Sequence, residues 1–203
     1  ILICAGNIVG VLLSCPLVAY SISKIKWRGR NFLFMLILST ILIPFPVTMV
    51  PLFVVFARLG WINTFTPLIL PAFFGGGAFN IFLLRQFLLT IPEELSDAAR
   101  IDGASEFGIY SKIVLPLIKP ILIVVALFTF LGAWNDFMGP LIYLNSQEKY
   151  TLALGLRLFQ GLYVTKWEVV MAASTIALIP PTVIFFLAQK YFIQGVVITG
   201  LKG

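Results

Sequence analysis

The sequence contains no histidine. This absence removes the usual general base, the commonest metal ligand and any serine–histidine–aspartate triad. The phosphate-cradling GxxxxGK[ST] motif is also missing, so we do not expect the chain to bind ATP through such a loop. Neither a G-x-S-x-G pattern nor paired aspartates inside an apolar run occurs. We therefore expect no catalytic activity in this chain.

Charge is scarce as well. Charged residues make up 11% and hydrophobic residues 60% of the chain, against about 25% charged in a soluble domain. The sequence therefore predicts an integral membrane protein, in which each helical span needs about 20 apolar residues. The net charge of +6 does not indicate nucleic-acid binding, because the bases lie at helix ends. Cys4 and Cys15 share the first apolar run, and we interpret both as small apolar side chains.

Long apolar runs predict an all-α, polytopic transmembrane helical bundle with about five spans. The predicted spans cover residues 1–23, 32–57, 65–89, 116–131 and 167–188. Pro44, Pro46 and Pro51 interrupt the second span, and Pro71 and the glycines at 75–77 weaken the third. Broken helices often line transport pathways. Glycines that merely allow close helix packing are the alternative.

The distribution of bases predicts the orientation. Residues 24–30 carry four bases and no acid, and most of the fourteen bases lie on the same predicted side. By the positive-inside rule, the loop 91–116 and the tail 189–203 are then cytoplasmic, and the loop 138–166 is extracytoplasmic. Because the chain begins inside an apolar run without a methionine, we expect an N-terminally truncated protein.

A charged island, residues 91–116, separates two apolar stretches. Pro92 suits the first position of a helix, and the acids that follow it favour the positive end of the helix dipole. Gly103 predicts the end of that helix, because glycine accepts the left-handed conformation. Ser105 can cap a second short helix. The island is therefore expected to form a helix–turn–helix.

The first island helix has a small apolar face. At 100° per residue, Leu95, Ala98 and Ala99 share this face, which Asp102 continues, and the opposite face is mostly acidic. Helices that rest on lipid have large apolar side chains and a basic polar face. The composition therefore favours docking into a protein groove. A lipid-surface helix and an intramolecular cap remain alternatives.

The island also resembles a known family motif. DAARIDGAS, followed by IVLP, is similar to the EAA loop of ABC importer membrane subunits, which reads E-A-A-x-x-x-G and then I-x-L-P. Asp97 replaces the usual glutamate, whereas Gly103, Ile113, Leu115 and Pro116 match. The resemblance implies a coupling helix that sits in a cleft of a separate ATPase. The coupling residues implied are Leu95, Asp97, Ala98, Ala99, Asp102, Gly103, Leu115 and Pro116.

Other stretches resemble sugar-importer permeases of the maltose-transporter type. They are LGWINT at 59–64, FLLRQF at 82–87, WNDF at 134–137, FQGLY at 159–163 and QKYFIQG at 189–195. The resemblance implies one permease domain over residues 1–203, in a family that usually has six spans, in a bacterial or archaeal cytoplasmic membrane. The implied partners are a second permease, homologous or identical, an ATP-binding subunit dimer, an extracytoplasmic solute-binding protein and a carbohydrate. ATP and magnesium would bind to the ATPase, and this chain would hold no cofactor, metal or nucleic acid.

Two further groups of residues are predicted. Polar side chains within or at the ends of spans are pathway candidates, namely Asn80, Trp134, Asn135, Asp136, Ser174 and Thr175. By resemblance, the outer loop would meet the binding protein through Gly155, Phe159, Gly161 and Tyr163, and the tail at 200–203 would touch the ATPases. Alternative functions are an ABC importer for a polyamine or phosphoester and an ion-coupled secondary transporter. The latter would need ionisable groups within spans, which are nearly absent.

Overall fold

The computed structural model describes residues 1–159 and 166–200, with the backbone alone for 191–200, and within these ranges it contains no β-strand. The α-helices are α1 (Leu2–Ser23), α2 (Arg30–Ser39), α3 (Phe45–Arg58), α4 (Thr66–Ile69), α5 (Ala78–Thr90), α6 (Glu94–Ile101), α7 (Glu106–Ile109), α8 (Leu115–Leu117), α9 (Lys119–Asn135), α10 (Met138–Tyr143), α11 (Leu152–Leu156) and α12 (Trp167–Gly200). Short 3-10 turns cover Thr40–Leu42, Leu70–Phe73, Gln147–Lys149 and Arg157–Phe159, and a π-helical turn covers Tyr110–Val114.

In the part of the chain that the structure describes, three helical segments are long and apolar enough to cross a membrane, namely Leu2–Ser23, Thr66–Thr90 and Trp167–Lys190. Two bent pairs bring the number to five if each pair counts as one span. Arg30–Leu42 meets Phe45–Arg58 at 99°, and Glu106–Leu117 meets Lys119–Asn135 at 76°. The predicted all-α, polytopic fold is confirmed.

Proline and glycine account for the breaks in the spans. Pro44 precedes α3 in an extended conformation, and Pro51 lies inside α3 without ending it. The three glycines at 75–77 all have positive φ, between 68° and 91°, a region that only glycine enters freely. A Cβ on Gly76 would lie 2.9 Å from Val11 Cγ1. The glycine run therefore breaks the third span and also lets it pack closely on α1.

The predicted bounds of the fourth span are wrong. We expected the span to begin near Pro116 and end near Leu131, but its long helix α9 runs from Lys119 to Asn135. Pro116 lies instead in the separate short helix α8. Pro120 occupies the first turn of α9, where the missing proline N–H costs no hydrogen bond. With two prolines four residues apart, the sequence left open which one would start the span.

Helix α1 forms the centre of the bundle and packs against α5 and α9. Its buried residues Cys15 and Ile22 join Leu84, Leu88 and Val125 in one core cluster. Cys4 and Cys15 are both free and buried, as expected for small apolar side chains. By contrast, α2, α3 and the part of α12 up to Lys190 expose most of their apolar side chains, and these faces are available to lipid or to another protein.

Candidate functional site

The charged island forms the predicted helix–turn–helix. Helix α6 ends at Ile101. Gly103, two residues further on, has a φ of +80°, and a Cβ there would meet no atom within 4 Å. The amide of Gly103 donates to Arg100 O at 3.0 Å, and that of Ala104 donates to Ala99 O at 2.9 Å. These two bonds make a Schellman motif, which requires the left-handed residue. Gly103 is thus present for its backbone conformation.

The start of α7 was predicted correctly, whereas the start of α6 was not. The Ser105 hydroxyl accepts a hydrogen bond from the Gly108 amide at 3.2 Å, so Ser105 caps α7 as expected. Helix α6, however, begins at Glu94 and not at Pro92. The carbonyl of Glu93 accepts the first helical bonds, from Ser96 and Asp97. The proline therefore lies just before the helix, where its lost donor is equally harmless.

The small apolar face of α6 is divided between the bundle and the surface. Leu95 and Ala98 are exposed, but Ala99 is only 9% exposed and belongs to the core cluster. Ser96, which at 100° per residue falls on the predicted polar face of α6, is only 2% exposed. The prediction that Leu95, Ala98 and Ala99 form one free face is therefore wrong for Ala99. A small side chain at this position lets α6 approach the bundle closely.

An exposed apolar surface remains on the island, and we call Leu95, Ala98, Ile101 and Phe107 the docking surface. Ile101 is 87% and Phe107 is 71% exposed. Leu95, Ala98 and Ile101 follow one another at intervals of three residues, so they share one side of α6. Asp102 and Gly103 are exposed beside them. Sequence reasoning missed Ile101 and Phe107, although two large apolar residues in a charged turn were a signal of a protein contact.

An ionic network joins the island to the bundle. Arg100 Nη1 lies 2.6 Å from Asp97 Oδ1, and Arg100 Nε lies 2.8 Å from Glu106 Oε1. The other oxygen of Glu106 accepts a 3.0 Å hydrogen bond from the Tyr20 hydroxyl on α1. The hydrogen bond from Arg100 lowers the pKa of the Glu106 carboxyl. Glu106 is therefore charged at neutral pH and links α6, α7 and α1.

A second attachment lies on the other side of α6. Lys26 Nζ is 2.8 Å from Glu93 Oε1, and Lys24 Nζ donates to the carbonyl of Ile91 at 2.5 Å. The hydrogen bond from Lys26 lowers the pKa of the Glu93 carboxyl. The C-terminal end of α1 and the residues that follow it thus hold the island both before and after α6. The other two predicted coupling residues are in α8, where Leu115 packs on the core cluster and Pro116 is exposed.

One pathway candidate lines a cavity at the glycine break. The cavity has a volume of about 530 Å³ and lies between α1, the broken third span and α9. Asn7, Asn80 and Thr129 supply its polar side chains, and Phe79 and Phe128 supply rings that meet edge to face at 5.8 Å. Asn80 Nδ2 donates to the Gly76 carbonyl at 2.8 Å. Amide and aromatic groups therefore converge where the span is broken.

The structure does not bring the other candidates to this cavity. Asp136 lines a different cavity, of about 420 Å³, and accepts a 3.1 Å hydrogen bond from the Gly139 amide. Trp134 Nε1 donates to Ala177 O on α12 at 3.2 Å, a contact between two helices. Asn135 and Thr175 are exposed and bond to carbonyls one turn back in their own helices. Ser174 is half-buried on α12.

The loop 138–166 is anchored by a residue that sequence reasoning did not single out. Asn63, with a left-handed φ of 60°, lies in the turn between α3 and α4. Its Oδ1 accepts the amides of Asn145 and Ser146, both at 3.1 Å, and its Nδ2 donates to Ser146 Oγ at 2.8 Å. Its main-chain amide donates to Tyr143 O at 2.7 Å, and its carbonyl accepts from Lys149 Nζ at 2.6 Å. One asparagine thus fixes the start of the loop 138–166.

The predicted contacts with a binding protein are only partly described. Gly155 is half-buried in α11, and Phe159 is exposed in the following 3-10 turn. Gly161 and Tyr163, and the end of the tail at 201–203, lie outside the described residues.

Known proteins share both the sequence and the fold. Residues 6–198 match the family described as "Binding-protein-dependent transport system inner membrane component". An arabinooligosaccharides transport system permease protein of Halalkalibacterium halodurans is 40% identical over 192 residues, which are 95% of this chain and 68% of that protein. An sn-glycerol-3-phosphate transport system permease protein of Pectobacterium atrosepticum is 36% identical over 191 residues, 93% of this chain and 67% of that protein. This chain thus spans about two thirds of the length of these relatives.

A solved structure of an ABC transporter shares the fold of this chain. The crystal structure of a bacterial ABC transporter involved in the import of the acidic polysaccharide alginate superposes with a TM-score of 0.79 at 28% identity, covering 93% of this chain and 71% of that chain. The island motif, the broken spans and the family match all point to the same class. The chain belongs to the family of binding-protein-dependent transport system inner membrane components, the permeases of ABC importers.

Proposed function

We propose that this protein is the membrane-spanning permease of an ATP-driven importer that carries a carbohydrate, and that the docking surface binds the ATPase. The observation that supports this most is the exposure of Ile101 and Phe107 on a loop that is otherwise held firmly to α1. Two large apolar side chains in water favour a protein partner. Because the loop is fixed at both ends of α6, a movement of that partner is passed on to the bundle.

Helix α1 is the element that receives this movement. The bond from Tyr20 to Glu106 and the ion pair from Lys26 to Glu93 connect α1 to the island on either side of α6. Helix α1 also packs along α5 and α9 and meets the glycine break at Gly76. When the ATPase subunits close, α6 would pull on α1 and change the cavity at the break. This sequence of contacts provides alternating access.

The remaining parts of the importer follow from the orientation. The basic segment 24–30 and the island face the cytoplasm, together with the tail 189–203, whose end would touch the ATPases. The outer loop, anchored by Asn63, meets the solute-binding protein. A second permease, identical or homologous, covers part of the exposed apolar surface of α2, α3 and α12. ATP and magnesium bind to the ATPase dimer, and this chain holds no cofactor.

The cavity beside Asn80 favours a neutral sugar. Its polar groups are amides and a hydroxyl, and its two rings offer flat apolar faces, a combination that fits the hydroxyls and the apolar faces of sugars. No basic side chain lines it within the described part of the chain. A phosphoester is the second candidate, because relatives named for sn-glycerol-3-phosphate match at 36% identity. It would need a cation, which this cavity does not offer.

Reconstitution tests the proposal. The permease, with its partner permease and ATPase, is placed in proteoliposomes with the binding protein encoded beside it. We expect ATP-dependent uptake of a labelled oligosaccharide and little uptake of glycerol 3-phosphate. Uptake driven by an ion gradient without ATP would contradict the importer, and preferential uptake of the phosphoester would contradict the sugar.

A further inference from the structure

Arg85 has an unusual environment for a charged side chain. It lies on α5, within the apolar segment Thr66–Thr90. Its guanidinium is 4.1 Å from the centre of the Phe34 ring on α2. Its Nε is buried and has no hydrogen-bond partner among the residues that the structure describes. A buried N–H of a cation that lacks an acceptor is costly.

Nearby side chains do not supply a counter-charge. The charged neighbour that acts on Arg85 is Arg30, of the same sign. Arg30 donates to the carbonyl of Ile25 at 3.2 Å and forms no ion pair within residues 1–159 and 166–190. Glu93 shares a cavity with Arg30 but pairs with Lys26. Arg30 precedes Phe34 by one turn of α2, and Arg85 lies over the Phe34 ring, so both arginines are on the same side of α2.

The depth of Arg85 in the bundle points to lipid phosphate. Arg85 precedes the end of α5 at Thr90 by five residues, about 7.5 Å along a helix. This places the guanidinium close to the level of the headgroups, to which long basic side chains extend. Beside it, α2 exposes Phe32 and Met35, 68% and 67% respectively. The arginines therefore border an apolar surface on which acyl chains can lie.

We propose that Arg30 and Arg85 bind the phosphate of an anionic phospholipid, with its acyl chains along α2. Guanidinium groups bind phosphate through paired, charge-assisted hydrogen bonds, and Arg85 as a whole is only half-buried. The lipid neutralises both cations at the hinge where α1, α2 and α5 meet the island. A carboxylate of the second permease is the competing occupant, and the experiment separates the two.

Native mass spectrometry of the assembled transporter measures the binding of phosphatidylglycerol and of phosphatidylcholine with the same acyl chains. We expect the wild type to prefer phosphatidylglycerol. Arg30→Gln and Arg85→Gln should each weaken that binding about fivefold without changing the binding of phosphatidylcholine. The matched control is Arg58→Gln, which removes an exposed arginine at the end of α3 and should leave both affinities unchanged.

Three results would overturn the proposal. They are equal affinities for the two lipids in the wild type, an equal loss in Arg58→Gln, and release of the second permease from Arg85→Gln while phosphatidylglycerol still binds. The last would assign the arginines to the partner. If Arg85→Gln does not assemble, Arg30→Gln and Arg85→Lys decide the question. The lysine variant keeps the charge but loses the planar fork, so its affinity should fall between those of the wild type and Arg30→Gln.

Discussion

The hydroxyl of Tyr20 donates a 3.0 Å hydrogen bond to Oε2 of Glu106, across 86 residues of sequence. Tyr20 is buried near the C-terminal end of the central helix α1, and Glu106 opens α7 in the exposed island. Because Glu106 also pairs with Arg100, this bond extends a charged contact on α6 into the core. We therefore regard it as a mechanical link between the docking surface and the transmembrane bundle.

Tyr20→Phe tests that link. The substitution removes one hydrogen bond to a charged group, worth about 1.5–3 kcal/mol, and keeps the ring that lies 5.3 Å from Tyr110. We expect uptake per ATP hydrolysed to fall by about tenfold or more, while the ATPase stays bound. Tyr110→Phe is the control, since its hydroxyl makes no hydrogen bond in the described structure. An unchanged ratio in Tyr20→Phe, or the same loss in Tyr110→Phe, would contradict the link.

Gly103→Ala and Gly103→Pro test the Schellman turn. Alanine in the left-handed region costs about 1–2 kcal/mol, and proline cannot adopt the φ of +80° at all. We expect reduced uptake for alanine and none for proline, with the chain still in the membrane. Gly60→Ala is the control, because Gly60 also has positive φ and free space around it but lies in the outer turn. Normal sugar-stimulated ATPase activity in Gly103→Pro would refute the coupling role.

Cysteine cross-linking distinguishes the exposed from the buried side of α6. Ile101→Cys and Ala98→Cys should cross-link to the ATPase in the assembled transporter, because both positions are exposed. Ala99→Cys should react much less, since Ala99 faces the core. Band shifts on non-reducing gels report the outcome. Cross-linking at position 99 but not at 98 or 101 would show that another face docks.

The anchoring of the loop 138–166 by Asn63 predicts a separate phenotype. Asn63→Ala removes side-chain bonds to Asn145 and Ser146 and leaves two amides to find water. We expect weaker stimulation of the ATPase by the binding protein, with basal ATPase activity unchanged. Asn145→Ala should have little effect, because Asn145 contributes its main-chain amide to this network. Equal effects of the two substitutions would exclude a specific role for Asn63.

The island's ion pairs also predict a pH response. The pKa values of Glu93 and Glu106 are lowered in the folded protein by hydrogen bonds from Lys26 and Arg100, respectively. The stabilisation that these two carboxylates give to the island is complete above their unfolded-state pKa. It is lost as the pH falls through their lower folded-state pKa values. Coupling should therefore be constant from neutral pH down to about pH 5 and then decline. Measurement of uptake per ATP against pH checks this prediction. A decline that already begins above about pH 5 would show that the carboxylates are not paired.

The elements that depend on local chemistry were predictable from the sequence. Apolar runs longer than a bilayer predicted the spans, Pro44 and the glycines at 75–77 predicted the breaks, and Gly103 with Ser105 predicted the turn. In each case the reason lies in a few neighbouring residues, such as a missing amide donor, a positive φ or a capping hydroxyl. The resemblance of the island to an EAA loop added the family, which the comparisons confirmed.

Contacts between distant segments were decided only by the tertiary structure. A helical wheel shows that Leu95, Ala98 and Ala99 are neighbours, but only the packing of α6 against the bundle buried Ala99 and left Ile101 exposed. The hydrogen bond from Tyr20 to Glu106 and the hydrogen bonds of Asn63 with Ser146 join residues far apart in sequence. Local pattern carries no signal of such pairs. The composition of residues 91–116 therefore predicted a docking site for a partner, and the fold decided which side chains are exposed there and which helix holds them.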